Sequence, residues 1–328
     1  MEWTVDVSAG DWLTARIDDP WRGTMHDVVP RGFAAYARVF HPASVQEIPG
    51  ERMPSLEQWR ESAPSELQDL QQRIVHRRVT WGETAQAFGT VFHPGAQWGP
   101  LTGSGADGGG QVDSSDGRWF DDPSVGALEP DLFTALAKSL AAHTTTPDAG
   151  FAALWEGSGG LVGRLGTGPS RSFFQAGDPG DADLQRHNEM LGRSVKEVWN
   201  NVFRKATWQD GILSREISEG PRLRLPERAF VMFRGGAQEF AVDDWELQMP
   251  WRDLPAEAHG FEPSATSPSL LWPDDHAWAV VSEVDFDSTI VAGSAELIAA
   301  IVGDPRLEAA EIPVDAVLGY GVDDEVNR

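Results

Sequence analysis

The chain has 328 residues, of which 41% are hydrophobic and 23% are charged, and its formal net charge is -25. This composition is typical of a globular protein with one large domain or two ordinary ones. The negative charge repels phosphate backbones and anionic lipid surfaces, so we expect neither a nucleic acid nor a membrane as a partner. The chain has no cysteine, which excludes disulfides, thiol nucleophiles and cysteine-ligated zinc.

The sequence also predicts a location and a division of the chain. Its first residues lack the basic and apolar regions of a signal peptide, and no apolar run approaches the roughly 18 residues that cross a bilayer. We therefore expect a cytoplasmic protein. A stretch rich in Gly and Asp, residues 103–128, predicts a linker or long loop between an N-terminal α/β lobe (1–102) and a C-terminal α+β lobe (129–328).

Apolar periodicity and capping residues predict the elements of both lobes. Thr80 and Glu83 have capping-box spacing and Gly89 suits a left-handed C-terminal position, so we expect a short helix there. The other predicted elements are a strand at 32–42, helical turns at 55–75 capped by Ser55 and Ser65, a helix at 131–143, a strand at 150–157, a long helix at 181–206, strands at 228–235 and 277–286, a helix at 294–303 and a strand at 307–315. Helices and strands are mixed without regular βαβ alternation. This predicts an α+β fold with a largely antiparallel sheet and packed helices, in one or two lobes.

The run Asp-Phe-Asp-Ser-Thr matches the signature of haloacid-dehalogenase-type phosphatases. In that chemistry Asp285 would be the nucleophile, Asp287 the acid and base, and Thr289 would orient the phosphoryl group. The same phosphatases also need a lysine on a later strand, and no lysine follows Thr289. The phosphatase interpretation therefore lacks its context.

A weaker form of this hypothesis uses three alternating carboxylates. On a strand, Glu283, Asp285 and Asp287 would project from one face about 7 Å apart, where they could bind Mg²⁺ or another divalent cation. The competing interpretation is a strand whose solvent face is acidic and whose other face is core. Without such a site, the sequence predicts no cofactor.

Two further motifs resemble known sites only in part. The glycines at 157, 159 and 163 follow a predicted strand, but their spacing differs from the dinucleotide fingerprint, so we predict a loop whose Arg164 and Arg171 could contact an anion. The sequence Val-Phe-His-Pro occurs twice, placing His41 and His93 in equivalent positions. They could share a metal if the fold joined them, although a histidine in a proline-locked turn is the simpler interpretation.

The chain contains 14 tryptophans and 2 tyrosines, and several tryptophans lie in acidic, proline-rich segments. An exposed tryptophan beside carboxylates can form a contact surface for a protein or small ligand. The competing interpretation is a buried ring whose indole N–H donates to a loop carbonyl. The candidate contact residues are Trp245, Trp251, Trp272, Asp274, Asp275 and His276.

Three segments together resemble a family of actinobacterial proteins of unknown function. They are VVPRGFAAYARVFHPA, VTWGETAQAFGTVFHPGAQWGPLTG and LLWPDDHAWAVVSEVDFDSTIVAGSAELIAAI, the last followed two residues later by DPRLEA, and they cover roughly residues 28–102 and 270–310. The resemblance implies one shared architecture that includes the Asp-Phe-Asp-Ser-Thr run. It implies no activity, cofactor or catalytic residue.

These observations favour a binding protein over an enzyme. We expect a protein or small-molecule partner, contacted through the acidic, Trp-bearing loops around residues 245–275, and an inhibitor-like role against a basic partner is one form of this function. The alternative is a metal-dependent hydrolase or phosphatase that uses Glu283, Asp285 and Asp287, with His276 as a further candidate.

Overall fold

The structure is a computed structural model, and it describes residues 1–18, 22–104, 110–166, 171–172, 188, 205–226, 228–318, 323 and 326–327. Its strands are β1 (Glu2–Trp3), β2 (Ala35–Phe40), β3 (Ala43–Glu47), β4 (Val75–Val79), β5 (Val112–Asp113), β6 (Trp119–Asp121), β7 (Gly150–Trp155), β8 (Arg164–Gly166), β9 (Thr207–Gln209), β10 (Leu223–Leu225), β11 (Arg228–Arg234), β12 (Leu270–Pro273), β13 (Ala279–Val281), β14 (Ser288–Gly293) and β15 (Ala309–Ile312). The α-helices are α1 (Asp11–Thr14), α2 (Leu56–Glu61), α3 (Pro64–Arg73), α4 (Trp81–Phe88), α5 (Trp98–Thr102), α6 (Pro130–Ala142), α7 (Arg215–Ser218), α8 (Leu254–Glu257) and α9 (Ala295–Val302). Short 3-10 helices span Ser8–Gly10, Met25–Asp27, Ala237–Glu239 and Trp245–Gln248.

The main sheet has nine strands in the order β1-β11-β7-β12-β13-β14-β2-β15, with β10 paired to β11. Every neighbouring pair in it is antiparallel. Helices α6 and α9 pack with buried tryptophans on one face, and residues from α1 and from Met25–Val29 cover the other. The predicted α+β fold with a largely antiparallel sheet is therefore confirmed.

A second, four-stranded sheet has the order β4-β3-β6-β5 and packs with α4 and α5 around Trp81 and Trp98. The segment predicted as a linker or loop, 103–128, contributes β5 and β6 to this sheet. In the main sheet, β2 lies between β14 and β15. Residues of both predicted lobes thus share one sheet.

Local signals placed several helix boundaries correctly. Thr80 and Glu83 form the predicted capping box of α4, and Gly89 has a left-handed φ of 73°. Ser55 caps α2 in the same way, and the Ser294 hydroxyl accepts the N–H of Leu297 at the start of α9. The predicted cap at Ser65 is wrong because α3 already begins at Pro64. The predicted helix at 181–206 lies almost entirely outside the described residues.

One predicted strand ends early, and this decides how the candidate carboxylates are arranged. Residues 277–286 were expected to be continuous, but β13 ends at Val281 and β14 begins at Ser288. The two strands pair antiparallel, so residues 282–287 form the connection of a hairpin. The Asp-Phe-Asp part of the motif therefore lies in a turn, which we call the 282–287 turn.

Candidate functional site

The three carboxylates of the 282–287 turn bind two different arginines. Arg228 donates from Nε and Nη2 to Glu283 Oε1 at 3.2 and 3.0 Å, and from Nη2 to Asp285 at 2.8 Å. Asp287 instead accepts from Nη2 of Arg38 at 2.9 Å. Because a turn lacks the alternation of a strand, the carboxylates do not project from one face.

Burial affects the members of this group unequally. Glu283 is almost fully buried, and burial raises the pKa of its carboxyl, an effect that the hydrogen bond from Arg228 opposes. Burial likewise lowers the pKa of the Arg38 guanidinium, while the charge of Asp287 opposes that change. Each buried charge is thus compensated by a charged neighbour, as a folded interior requires. Among the described residues, no group of three or more His, Cys, Asp or Glu side chains is placed to hold a metal ion.

The Ser288-Thr289 half of the motif belongs to a buried hydrogen-bond chain. His41 Nδ1 lies 2.7 Å from the Ser124 carbonyl oxygen, which can only accept, so Nδ1 carries the proton. His41 Nε2 then accepts from the Thr289 hydroxyl at 2.9 Å, and the Ser282 hydroxyl lies 2.7 Å from the same Thr289 oxygen. All three side chains are buried. Burial lowers the pKa of His41, although its bond to Ser124 opposes the shift, so a neutral imidazole fits this chain.

A narrow cleft reaches Ser282, the last member of this hydrogen-bond chain. The cleft has room for little more than a water molecule. Its polar lining comes from Asp27, Arg228, Ser269, Ser282 and Glu283. Since a substrate pocket is usually far larger, this cleft by itself does not make a substrate site.

His41 and His93 have separate sets of partners. His93 Nδ1 accepts the N–H of Gly95, and its Nε2 contacts the carboxylate of Asp323. The two Val-Phe-His-Pro copies meet through their phenylalanines, since the rings of Phe40 and Phe92 lie 4.9 Å apart. Arg38 also joins them, because its Nη1 donates to the carbonyls of Pro94 and Ala96.

The predicted contact tryptophans lie inside the protein. Trp245, Trp251 and Trp272 are at most 1% exposed. The indole N–H of Trp245 donates to the Pro130 carbonyl at 3.3 Å, and that of Trp251 donates to the Thr266 carbonyl at 2.9 Å. The rings of Trp245 and Trp251 therefore fix loops, and none of the three rings is exposed to a partner.

The other predicted contact residues, Asp274, Asp275 and His276, form an exposed turn after β12. Asp274 pairs with Arg234, and the ring of His276 stacks on Trp12 at 4.3 Å. Asp275 accepts bonds from the hydroxyls of Thr144 and Thr145 and from the Thr145 N–H. Burial raises the pKa of Asp275, but these bonds outweigh it and lower that pKa to about 2.

The glycine-rich segment after β7 is a loop, as predicted. It contains a tight turn in which the Ser158 N–H donates to the Trp155 carbonyl, and it leads into β8. Arg171 forms a bidentate pair with Asp253. Arg171 thus already pairs with a carboxylate of the same chain, and the contact of Arg164 and Arg171 with an anion stays a prediction.

An exposed surface that sequence reasoning located only in outline lies at residues 242–262. Three of its apolar side chains are exposed, Val242 by 39%, Leu247 by 45% and Leu254 by 61%. Sequence reasoning also missed Arg38 and Arg228. The signal for Arg38 was present, because an arginine inside the apolar run of β2 must find a buried partner.

Comparisons of the chain with protein-family models, with curated proteins and with solved structures found no match. None of the helices in the described part of the chain has the length and apolar character of a membrane span.

Proposed function

We propose that the protein is a binding protein that contacts a basic protein partner through the surface of residues 242–262. The supporting observation is that this surface combines exposed apolar side chains with a concentrated negative charge. Residues 242–262 contain six acidic side chains and one arginine, and the pairing of Asp253 with Arg171 and of Asp243 with Lys138 leaves a local charge of -3. Exposed apolar residues rimmed by charge are typical of protein-interaction sites.

The surface rests on a rigid base. Trp245, Met249 and Trp251 point inward and are buried, while Val242, Leu247 and Leu254 lie outside. The indole hydrogen bonds tie this segment to the first residue of α6 and to the segment before β12. A loop held in this way loses little conformational entropy on binding, which favours affinity.

The charge of this surface selects the partner class. Within it, Asp243 lies 3.6 Å from Lys138 in a highly exposed pair, which is worth little energy. Such acidic side chains attract a cationic surface and repel an anionic one. A basic partner with an apolar patch at its centre fits this combination, and an inhibitor-like role is one function that such binding could serve.

The metal-dependent hydrolase or phosphatase has less support. Its carboxylates, Glu283, Asp285 and Asp287, already neutralise Arg228 and Arg38. A divalent cation would have to displace these arginines. The proposed binding function requires no such rearrangement.

A photocrosslinking side chain at position 247 tests the proposal, with the same side chain at Val302 as the control. Val302 is 40% exposed on α9, outside the proposed surface. We expect one basic protein to crosslink from position 247 and not from 302. Binding of that protein should weaken at least about tenfold between about 50 and 500 mM salt.

Matched variants then assign the contact. Leu247→Ser/Leu254→Ser should abolish binding and Asp243→Asn/Asp244→Asn should weaken it, whereas Val302→Ser and Glu311→Gln should leave it unchanged. Equal crosslinking from both positions, or affinity that ignores the Leu247→Ser/Leu254→Ser change, would overturn the proposal.

A further inference from the structure

Asp323 and Asn327 contact the loop of residues 91–97, and the carboxylate of Asp323 is buried there. The side chain of Asp323 is fully buried. Its oxygens contact His93 Nε2. They also accept hydrogen bonds from the N–H of Gln97 at 2.9 Å and from Nδ2 of Asn327 at 3.0 Å. Because Nδ1 of His93 accepts the N–H of Gly95, Nε2 carries the proton and donates it to Asp323.

Asn327 provides the second contact, and within the 91–97 loop its side chain bonds only to backbone groups of Val91. Its Oδ1 accepts the N–H of Val91 at 2.8 Å, and its Nδ2 donates to the Val91 carbonyl at 2.9 Å. The N–H groups of Val326 and Asn327 both donate to the Asp323 carbonyl, the hydrogen-bond pattern of one helical turn between these three residues. Val326 points outward and is 49% exposed.

The 91–97 loop is shaped by bonds that do not involve this turn. The Ala96 N–H donates to the His93 carbonyl, and Arg38 Nη1 donates to the carbonyls of Pro94 and Ala96. The positive charge of Arg38 also interacts favourably with Asp323. The loop therefore presents a fixed set of donors, with a buried cation behind them, to an incoming carboxylate.

We propose that the 91–97 loop, together with Arg38, is a recognition site for a peptide that carries Asp and Asn four residues apart in one helical turn. The chain's own Asp323 and Asn327 occupy this site as an intramolecular ligand, and the same two side chains supplied by another molecule can replace them. This inference does not depend on the surface at residues 242–262.

The test uses the full chain with its own ligand disabled, Asp323→Ala/Asn327→Ala, and a fluorescent peptide of residues 319–328, GYGVDDEVNR. We expect this peptide to bind the double variant at least about tenfold more tightly than the wild-type chain, whose own turn competes at high effective concentration. A peptide with Asp323→Asn should lose most of this affinity, and one with Val326→Ala should retain it. The proposal is overturned if the variant binds the peptide no better than the wild type does, or if the Asp323→Asn peptide binds equally well.

Amide hydrogen exchange on the wild-type chain tests the same idea if the double variant does not fold. The amides of Val91 and Gln97 are held by the turn, whereas those of Ala96 and Leu101 are held by the loop and by α5. A replaceable turn predicts that the first pair exchanges at least about tenfold faster, through local release. Exchange of all four amides at one common rate would show that the turn is a permanent part of the fold and would overturn the proposal.

Discussion

His41 and His93 stand in identical Val-Phe-His-Pro sequences, yet their imidazoles are opposite tautomers. His41 donates from Nδ1 to the Ser124 carbonyl and accepts at Nε2 from Thr289. His93 accepts at Nδ1 from the Gly95 N–H and donates from Nε2 to Asp323. One copy thus ends a buried hydroxyl chain, and the other presents a donor to a carboxylate. The two local sequences are identical, so the tautomer of each imidazole is set by the different groups that hydrogen-bond to it.

The hydroxyl chain predicts a stability cost for Thr289→Val. Valine keeps the volume of the side chain but removes the donor to His41 Nε2 and the acceptor for Ser282, and both of these groups are buried. We expect the free energy of unfolding to fall by about 1–3 kcal/mol, as measured by urea denaturation. The control is Thr14→Val at an exposed position, which should change it by less than about 0.5 kcal/mol. Equal effects of the two changes would contradict the hydrogen-bond chain.

His41 also predicts a pH dependence of stability. Burial lowers the pKa of His41 in the folded protein, with the Ser124 bond and the charge of Asp287 opposing the shift. The unfolded chain therefore binds this proton at a higher pH than the folded chain does, so stability is lost as the pH falls below about 6.5. His41→Gln should reduce the slope of unfolding free energy against pH between pH 7 and 5, by at most about 1.4 kcal/mol per pH unit.

The comparison for that slope is His259→Gln, at an exposed histidine. It should reproduce the wild-type slope over the same pH range. If the His41→Gln slope also matches the wild type, proton exclusion at His41 does not contribute to acid sensitivity.

The sequence was informative where the partners are near in the chain. The α4 boundaries followed from Thr80, Glu83 and Gly89, which all lie within ten residues. The pattern from Val280 to Asp287 fits a strand as well as it fits a turn. The arginines that pair with the carboxylates of the turn are distant in the sequence. Arg228 is 55 residues from Glu283, and Arg38 is 249 residues from Asp287.

The tryptophans illustrate the same limit. Composition and flanking carboxylates leave two interpretations of a tryptophan open, a buried anchor and an exposed contact. Trp245 is a buried anchor whose indole N–H donates to the carbonyl of Pro130, a residue 115 positions away in the sequence. A single sequence does not show this pairing, because the pairing depends on the long-range packing of α6 against the 245–248 turn.

A metal titration tests the alternative catalytic function. Because Arg228 and Arg38 already neutralise the three carboxylates, we expect Mg²⁺, Mn²⁺, Ca²⁺ and Zn²⁺ to shift the thermal midpoint of the wild type and of Asp285→Asn/Asp287→Asn equally. A real site at 100 times its dissociation constant would add about 2.7 kcal/mol, or several degrees. Such a shift in the wild type alone would favour the hydrolase, and assays of phosphate-ester hydrolysis would then follow.

A substitution at Gly126 tests how tightly the neighbouring 124–127 segment packs against the 282–287 turn. Its N–H donates to the Phe286 carbonyl at 2.9 Å, its φ is 78°, and an added Cβ would lie 3.0 Å from the Cα and carbonyl oxygen of Val284. Gly50 has nearly the same φ, 79°, but an added Cβ there meets nothing within 4 Å. Both Gly→Ala changes should incur the strain of a left-handed alanine, about 1–3 kcal/mol, because the backbone conformations match.

Only Gly126→Ala adds a clash with backbone atoms, so it should lower the free energy of unfolding by at least about 1 kcal/mol more than Gly50→Ala does. Urea denaturation of both variants measures the difference. Equal losses would mean that the turn moves away from residue 126 at little cost. A larger loss at Gly126 would mean that Arg228, Arg38 and the 124–127 segment hold the turn from several sides, which leaves it little freedom to rearrange around a cation.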